Sequence, residues 1–257
     1  MRIKIPDSAL KVGFLNEPVG THGSRTIMLR DLRLLLAVCE PGASLDDYRE
    51  AIIDENVLMK ATLSTRRESV RRLRELYGLS DDILLFRALR DIWPMEEAAQ
   101  PLLALLCASA RDPILRATAD LILRTDRGAE MTPSLISDAV RDSFPSRYGP
   151  TMLANVGRHV ASSWQQSGHL AGKLHKIRAR ALSTPIATTY ALFLAYLCDV
   201  RGDSLFHTVW ARLLDAPEHE TREHAAAASR QGWLEYREMG GVTEVTFRHL
   251  FRGPEAP

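Results

Sequence analysis

Aspartate and glutamate are missing from Ser143 to Cys198, a run of 56 residues in a 257-residue chain that is otherwise a quarter charged. The same run holds Arg147, Arg158, Lys173, Lys176, Arg178 and Arg180, a net charge of +6, which leaves −5 for the rest of a chain whose total is +1. Acids repel phosphates, and cations that neutralise a duplex release its condensed counterions. The gap therefore points to a polyanionic partner. Burial is the competing reading, because buried helices also avoid acids. It accounts for Ala181–Cys198 but not for the four cations between Lys173 and Arg180. His159, His169 and His175 add donors that charge below neutral pH.

Other shortages exclude other chemistries. Cys39, Cys107 and Cys198 lie far apart, which fits neither a disulfide framework nor a zinc spacing and predicts free thiols in a reducing, cytoplasmic setting. Fifteen glycines are scattered without any G-x-x-x-x-G-K-[ST] phosphate loop. The longest uncharged run, Ala181–Cys198, is 18 residues with Pro185, Ser183, Thr184, Thr188 and Thr189 in its first half. A membrane span needs about 20 mostly apolar residues, so the run predicts a buried helix starting near Pro185. The first fifteen residues lack the apolar core and cleavage site of a signal peptide. His219 and His224 stand five apart, where a zinc-binding helix needs four, and Glu223 occupies the required place. The acid pairs Asp46-Asp47, Asp81-Asp82 and Glu96-Glu97 fall at expected helix starts, where they complement the macrodipole. The expectation is a non-enzymatic protein with no cofactor, no metal and no membrane segment.

Helical periodicity fills most of what remains. A helix from Ser24 or Arg25 to Glu40, a second from Ser44 to Glu55 and a third ending at Gly78 make a three-helix unit with the outline of a helix-turn-helix. Thr65 and Glu68 fit a capping box for the third helix, and Gly78 fits a left-handed stop. Its apolar stripe is Val70, Leu73, Leu76 and Tyr77, while Arg67, Arg71 and Arg74 share a face at i, i+4 and i+7, flanked by Arg66 and Arg72. Such a face can lay guanidinium groups on phosphates or guanine edges, or be an ordinary solvated surface.

Further helices are expected at 83–92, 101–110 and 113–123, the last opened by Asp112-Pro113. Thr125–Glu130 reads as a linker, dividing the chain into helical domains 1–128 and 129–257. The second half restarts at Thr132-Pro133, continues with a helix from Pro150 to Gln166, and passes through short basic strands after Gly168. Helices at 185–200, about 205–214 and 218–231 follow. A hairpin turning at Gly240-Gly241 closes the pattern. His159–Gly168 resembles His224–Gly232, so a helix-plus-wing unit occurs twice in outline. The last hairpin carries Glu235, Glu238 and Glu244, which suits packing or a protein contact better than phosphate. The fold class expected is mainly α, with two helical domains, helix-turn-helix and winged-helix-like units, and a C-terminal β-hairpin.

The run DENVLMKATLSTRRESVRRLRELYGLS resembles the signature segment of the BrxA family, helical accessory proteins of BREX phage-defence systems. The matching elements are Asp54–Leu58, Thr62–Arg66 and Arg72–Leu76, with Gly168-His169-Leu170 after a later helix. The resemblance implies a non-enzymatic DNA-binding part of a multi-protein system, with double-stranded DNA and other defence-system proteins as partners. Candidate DNA contacts are Arg66, Arg67, Arg71, Arg74, Arg147, Arg158, Lys173, Lys176, Arg178 and Arg180. The alternatives are an adaptor whose arginine face docks an acidic protein, and an RNA-binding protein. The oligomeric state is not written in the sequence.

Overall fold

Cap-and-proline pairs fix where three helices begin. Asp112, Thr132 and Thr184 each precede a proline, and their side chains accept from the N–H groups of Ile114, Leu135 and Ala187. The missing proline N–H costs nothing at that position, because no helical acceptor precedes it. The computed structural model describes residues 5–251; residues 1–4 and 252–257, the outer ends of the two expected domains, lie outside the described residues.

The first half contains α1 (Asp7–Leu10), α2 (Leu29–Val38), α3 (Leu45–Ile53), α4 (Leu63–Tyr77), α5 (Leu84–Ile92), α6 (Gln100–Arg111), α7 (Pro113–Ala117) and α8 (Ala119–Arg124). The second contains α9 (Pro133–Ser143), α10 (Pro150–Gln166), α11 (Pro185–Leu197), α12 (Val209–Arg212), α13 (Glu218–Arg230) and α14 (Arg248–Phe251). Two antiparallel hairpins complete it: β1 (Leu170–Ala171) with β2 (Ile177–Arg178), and β3 (Glu235–Met239) with β4 (Val242–Thr246). The chain is mainly α, as expected. Both helix-to-hairpin passages turn through a left-handed glycine, Gly168 after α10 and Gly232 after α13. Gly240 and Gly241 both have positive φ, which a two-residue type I′ turn requires.

α6 and α11 lie at the centre and are buried along nearly their whole length. They pack on each other, with α4, α5 and α10 around α6 and α5, α12 and α13 around α11. Tyr190 Oη ties α11 to α5 by donating to Leu85 O at 2.9 Å. α11 is 13 residues long, and among the described residues no helix is long and apolar enough to cross a membrane. α9 and α10 meet closely at Gly157, where a Cβ would overlap Ser137 Oγ and Pro133 O.

The expected linker is not a free connection. Gly128 N–H donates to Arg178 O, Arg178 N–H to Ala129 O, and Met131 N–H to Lys176 O, each at 2.8 Å. Residues 128–131 are thereby zipped to β2. Buried apolar side chains from Ile5 to Phe251 form one connected core across residue 128.

The helix expected over about 205–214 is a 3-10 turn at Gly202–His207 followed by the short α12, and three other element boundaries differ for a visible reason. α2 begins at Leu29 rather than near Ser24, because Ser163 Oγ accepts from Ile27 N–H and Gln166 Oε1 from Leu29 N–H, holding residues 24–28 against α10. α4 begins at Leu63 with Thr62, not Thr65, as its cap, and Glu68 turns to Arg71 and Arg72 instead of closing a capping box. The expected 113–123 helix breaks at Thr118, whose hydroxyl donates to Leu115 O and accepts Trp164 Nε1–H at 2.8 Å.

Candidate nucleic-acid interface

The three-helix unit leads to a groove between α3 and α4. Its connections are residues 39–44 and 54–62, both longer than the three- or four-residue turn, roughly, of a helix-turn-helix. Asn56 and Met59 take positive φ and Asn56 Oδ1 accepts Lys60 N–H at 2.8 Å, so the second connection is a folded loop. It sets α4 beside α3 with a gap of 680 Å3. Leu45, Arg49 and Ile53 recur every four residues on the α3 wall; Arg67, Val70, Arg71 and Arg74 do so at three and four on the α4 wall. Leu15 and Val19 also line it, and the five apolar side chains of the groove are each half-buried.

Five arginines line this groove, Arg49, Arg67, Arg71, Arg74 and Arg111, against two carboxylates, Asp46 and Glu75. Glu75 is already committed, accepting from Arg72 Nη1 at 2.9 Å and Thr21 Oγ1 at 2.6 Å. Arg71 grips Glu68 with two hydrogen bonds, which hold that carboxyl below its ordinary range. Arg111 is buried without a carboxylate: it donates to Glu75 O, Arg74 O and Gly13 O, the first two being carbonyls of the last turn of α4. Burial pushes its guanidinium below the usual range, and Arg74 adds to that. Arg49, Arg67 and Arg74 are exposed, and among the described residues no hydrogen bond or ion pair engages their guanidinium groups. These three are free to meet an anion. The negative end of α4 already faces Arg111, so a phosphate on the rim adds charge balance rather than competing for it.

The ten cations singled out from sequence do not form one surface. Arg67, Arg71 and Arg74 share the groove. Arg66 instead caps α3, donating from Nη1 to Ile53 O at 2.8 Å. Arg147 is exposed and donates to Pro18 O at 3.1 Å, one residue before Val19, but it does not itself line the groove. Arg158 lines a separate cleft between α9 and α10. Lys173 is exposed on the β1–β2 hairpin.

The rest of the Lys173–Arg180 cluster turns inward or meets acids. Lys176 is buried with Nζ on Lys173 O at 3.2 Å. Arg178 is buried and fixed by Asp215 through two hydrogen bonds of 2.8 and 2.7 Å. Arg180 pairs with Glu220, and His175 faces Glu130 at 3.4 Å. A segment without acids in sequence thus borrows them from residues 130, 215 and 220. Lys176 and Arg178 are corrected from surface contacts to interior supports of the hairpin.

Sequence reading missed two arginines of the groove and two further clusters. Arg49 could have been found from its register with Leu45 and Ile53; Arg111, in an apolar helix, gave no signal. His22 Nδ1 lies 2.5 Å from Asp112 Oδ2 and its Nε2 2.9 Å from Ser163 Oγ, the connectivity of a nucleophilic triad. All three are fully buried, and Ser163 Oγ also contacts Ile27 N–H and His159 O. With both lone pairs and its proton engaged, that hydroxyl is a staple between the chain lead and α10. Asp203, His207 and Glu218 place ligand atoms within 4.8 Å of one another at the surface. Arg222 already bonds both carboxylates there, which opposes a cation. No protein-family description matches this chain, and no curated protein does.

Proposed function

We propose that this chain binds nucleic acid, foremost duplex DNA, through phosphate contacts along the α3–α4 groove, and we assign it no catalytic step. The observation that supports this reading is the trio Arg49, Arg67 and Arg74, exposed on two walls of one groove with no carboxylate partner among the described residues. Guanidinium groups suit phosphate by fork geometry and permanent charge. The resemblance of residues 54–76 to BrxA supports placing that binding in a cytoplasmic, BREX-like defence system with other proteins as partners.

The half-buried apolar floor of the same groove favours a second reading, an adaptor site for an acidic amphipathic protein segment. One titration separates them. Duplex DNA, single-stranded DNA and RNA are each titrated at two salt concentrations. The nucleic-acid reading expects duplex binding that weakens steeply with salt; absence of binding to all three at low salt refutes it and leaves the adaptor.

A further inference from the structure

The loop that leads into α4 meets the start of α2 and the end of α10 around a second basin, of 510 Å3. Arg25, Arg30, Arg33 and Lys60 line it, with Asp31 as its one carboxylate. Lys60 Nζ holds that carboxylate at 2.8 Å. Arg33 donates from Nε to Gln100 Oε1 and Arg25 from Nη1 to Ser24 O, each at 2.9 Å. Those partners are neutral, so the two charges stay uncompensated. Arg30 is exposed, and among the described residues no hydrogen bond or ion pair engages it. Four cations therefore line one basin against a single carboxylate, which Lys60 already holds.

Such a cluster is held against its own repulsion by the frame around it. Met28 and Leu29 are buried at its base. The Gln166 amide fixes the wall, accepting from Leu29 N–H at 3.0 Å and donating to Thr26 Oγ1 at 2.8 Å. Concave walls of low dielectric focus the field of the cations into the basin. The positive pole of α2 adds to a field that the four side chains already define.

We propose that this basin binds a phosphate group. A tetrahedral oxyanion offers several strong acceptors to converging guanidinium and ammonium donors, and it relieves their repulsion. The volume lies within the ~300–1,000 Å3 of small-ligand sites, so the phosphate can carry a nucleoside or another substituent. Nucleic-acid backbone and a free phosphorylated metabolite present the same chemistry here. The basin shares no lining residue with the α3–α4 groove, so this site stands or falls independently of it.

Inorganic pyrophosphate is titrated by calorimetry against the full chain, against Arg30→Glu with Arg25→Glu, and against Arg237→Glu, an exposed charge reversal on the β3–β4 hairpin outside both the basin and the groove. The expected result is saturable binding, lost roughly ten- to hundredfold in the first pair, the scale of deleting charge-assisted hydrogen bonds, and unchanged in Arg237→Glu. Arg30→Ala, at an exposed position, repeats the test if the first pair unfolds. A short duplex is the second arm. Weakened duplex binding in the Arg25/Arg30 variants identifies backbone phosphate as the source; unchanged duplex binding with lost pyrophosphate binding identifies a small phosphorylated ligand. No saturable pyrophosphate binding, or binding indifferent to Arg25 and Arg30, overturns the proposal.

Discussion

Arg178 closes a two-pronged ion pair on Asp215, 37 residues further along the chain, with Nη1–Oδ2 at 2.8 Å and Nη2–Oδ1 at 2.7 Å. Both side chains are buried. Arg178 also donates from Nε to Ile122 O at 2.8 Å, so it joins α8, β2 and the turn after α12. Truncating it leaves the buried carboxylate, among the described residues, with only the Ala181 N–H at 3.0 Å and Arg127 at 3.9 Å. Arg178→Ala is expected to cost about 3–5 kcal/mol, as breaking one side of a buried pair does, read as a lower urea midpoint with an unchanged slope.

The same pair makes stability depend on acid. Burial pushes the Asp215 carboxyl up, but the hydrogen bonds from Arg178 and from Ala181 N–H outweigh it and hold it below the usual range. A carboxyl depressed in the folded state contributes stability that is complete above its unfolded value, near 4, and is lost as pH falls through the folded value. Asp215→Asn is expected to flatten that acid limb of the unfolding free energy. An unchanged limb would assign it to other carboxylates.

His169 adds a second limb at higher pH. Leu213 O can only accept, so Nε2 carries the proton, at 3.1 Å, and Nδ1 accepts the Ser167 hydroxyl at 2.8 Å. Burial pushes this imidazole down to about 4. The unfolded chain takes up the proton first, so stability declines as pH falls from about 6.5 towards 4, by up to about 3 kcal/mol. An NMR titration of the ring protons should show no protonation at pH 6; a midpoint near 6.5 contradicts the buried neutral ring.

Gly157 tests the contact of α9 with α10. A methyl group there overlaps Ser137 Oγ and backbone at Pro133 O, which cannot both retreat. Gly157→Ala is expected to destabilise by about 1–3 kcal/mol despite the better helix propensity of alanine. A neutral or stabilising result in thermal unfolding contradicts that packing.

Periodicity and punctuation carried the fold. Asp112-Pro113, Thr132-Pro133, Thr184-Pro185, Gly78 and Gly240-Gly241 are local signals whose physics is complete within a few residues, and the structure follows each of them. Charge was less legible. A count along the chain treats Lys173–Arg180 as unopposed, whereas Glu130, Asp215 and Glu220 reach it through folding. The arginines of α4 illustrate the converse: spacing put Arg67, Arg71 and Arg74 on one face, and the face is there. Nothing local disclosed that Arg49 and Arg111 would join them, because that depends on how a nine-residue loop returns α4 to α3. The backbone pairing of residues 128–131 was out of reach for the same reason, its partners at residues 176–178 lying far along the chain.

The most direct test of the central claim is the salt dependence of duplex binding for the unmodified chain and for Arg67→Glu with Arg74→Glu. With Arg49, Arg67 and Arg74 on phosphates, log affinity is predicted to fall against log salt with a slope near −3, and the double variant to weaken binding and flatten the slope by about 2. The same affinity and slope in both proteins would contradict the assignment of the α3–α4 groove.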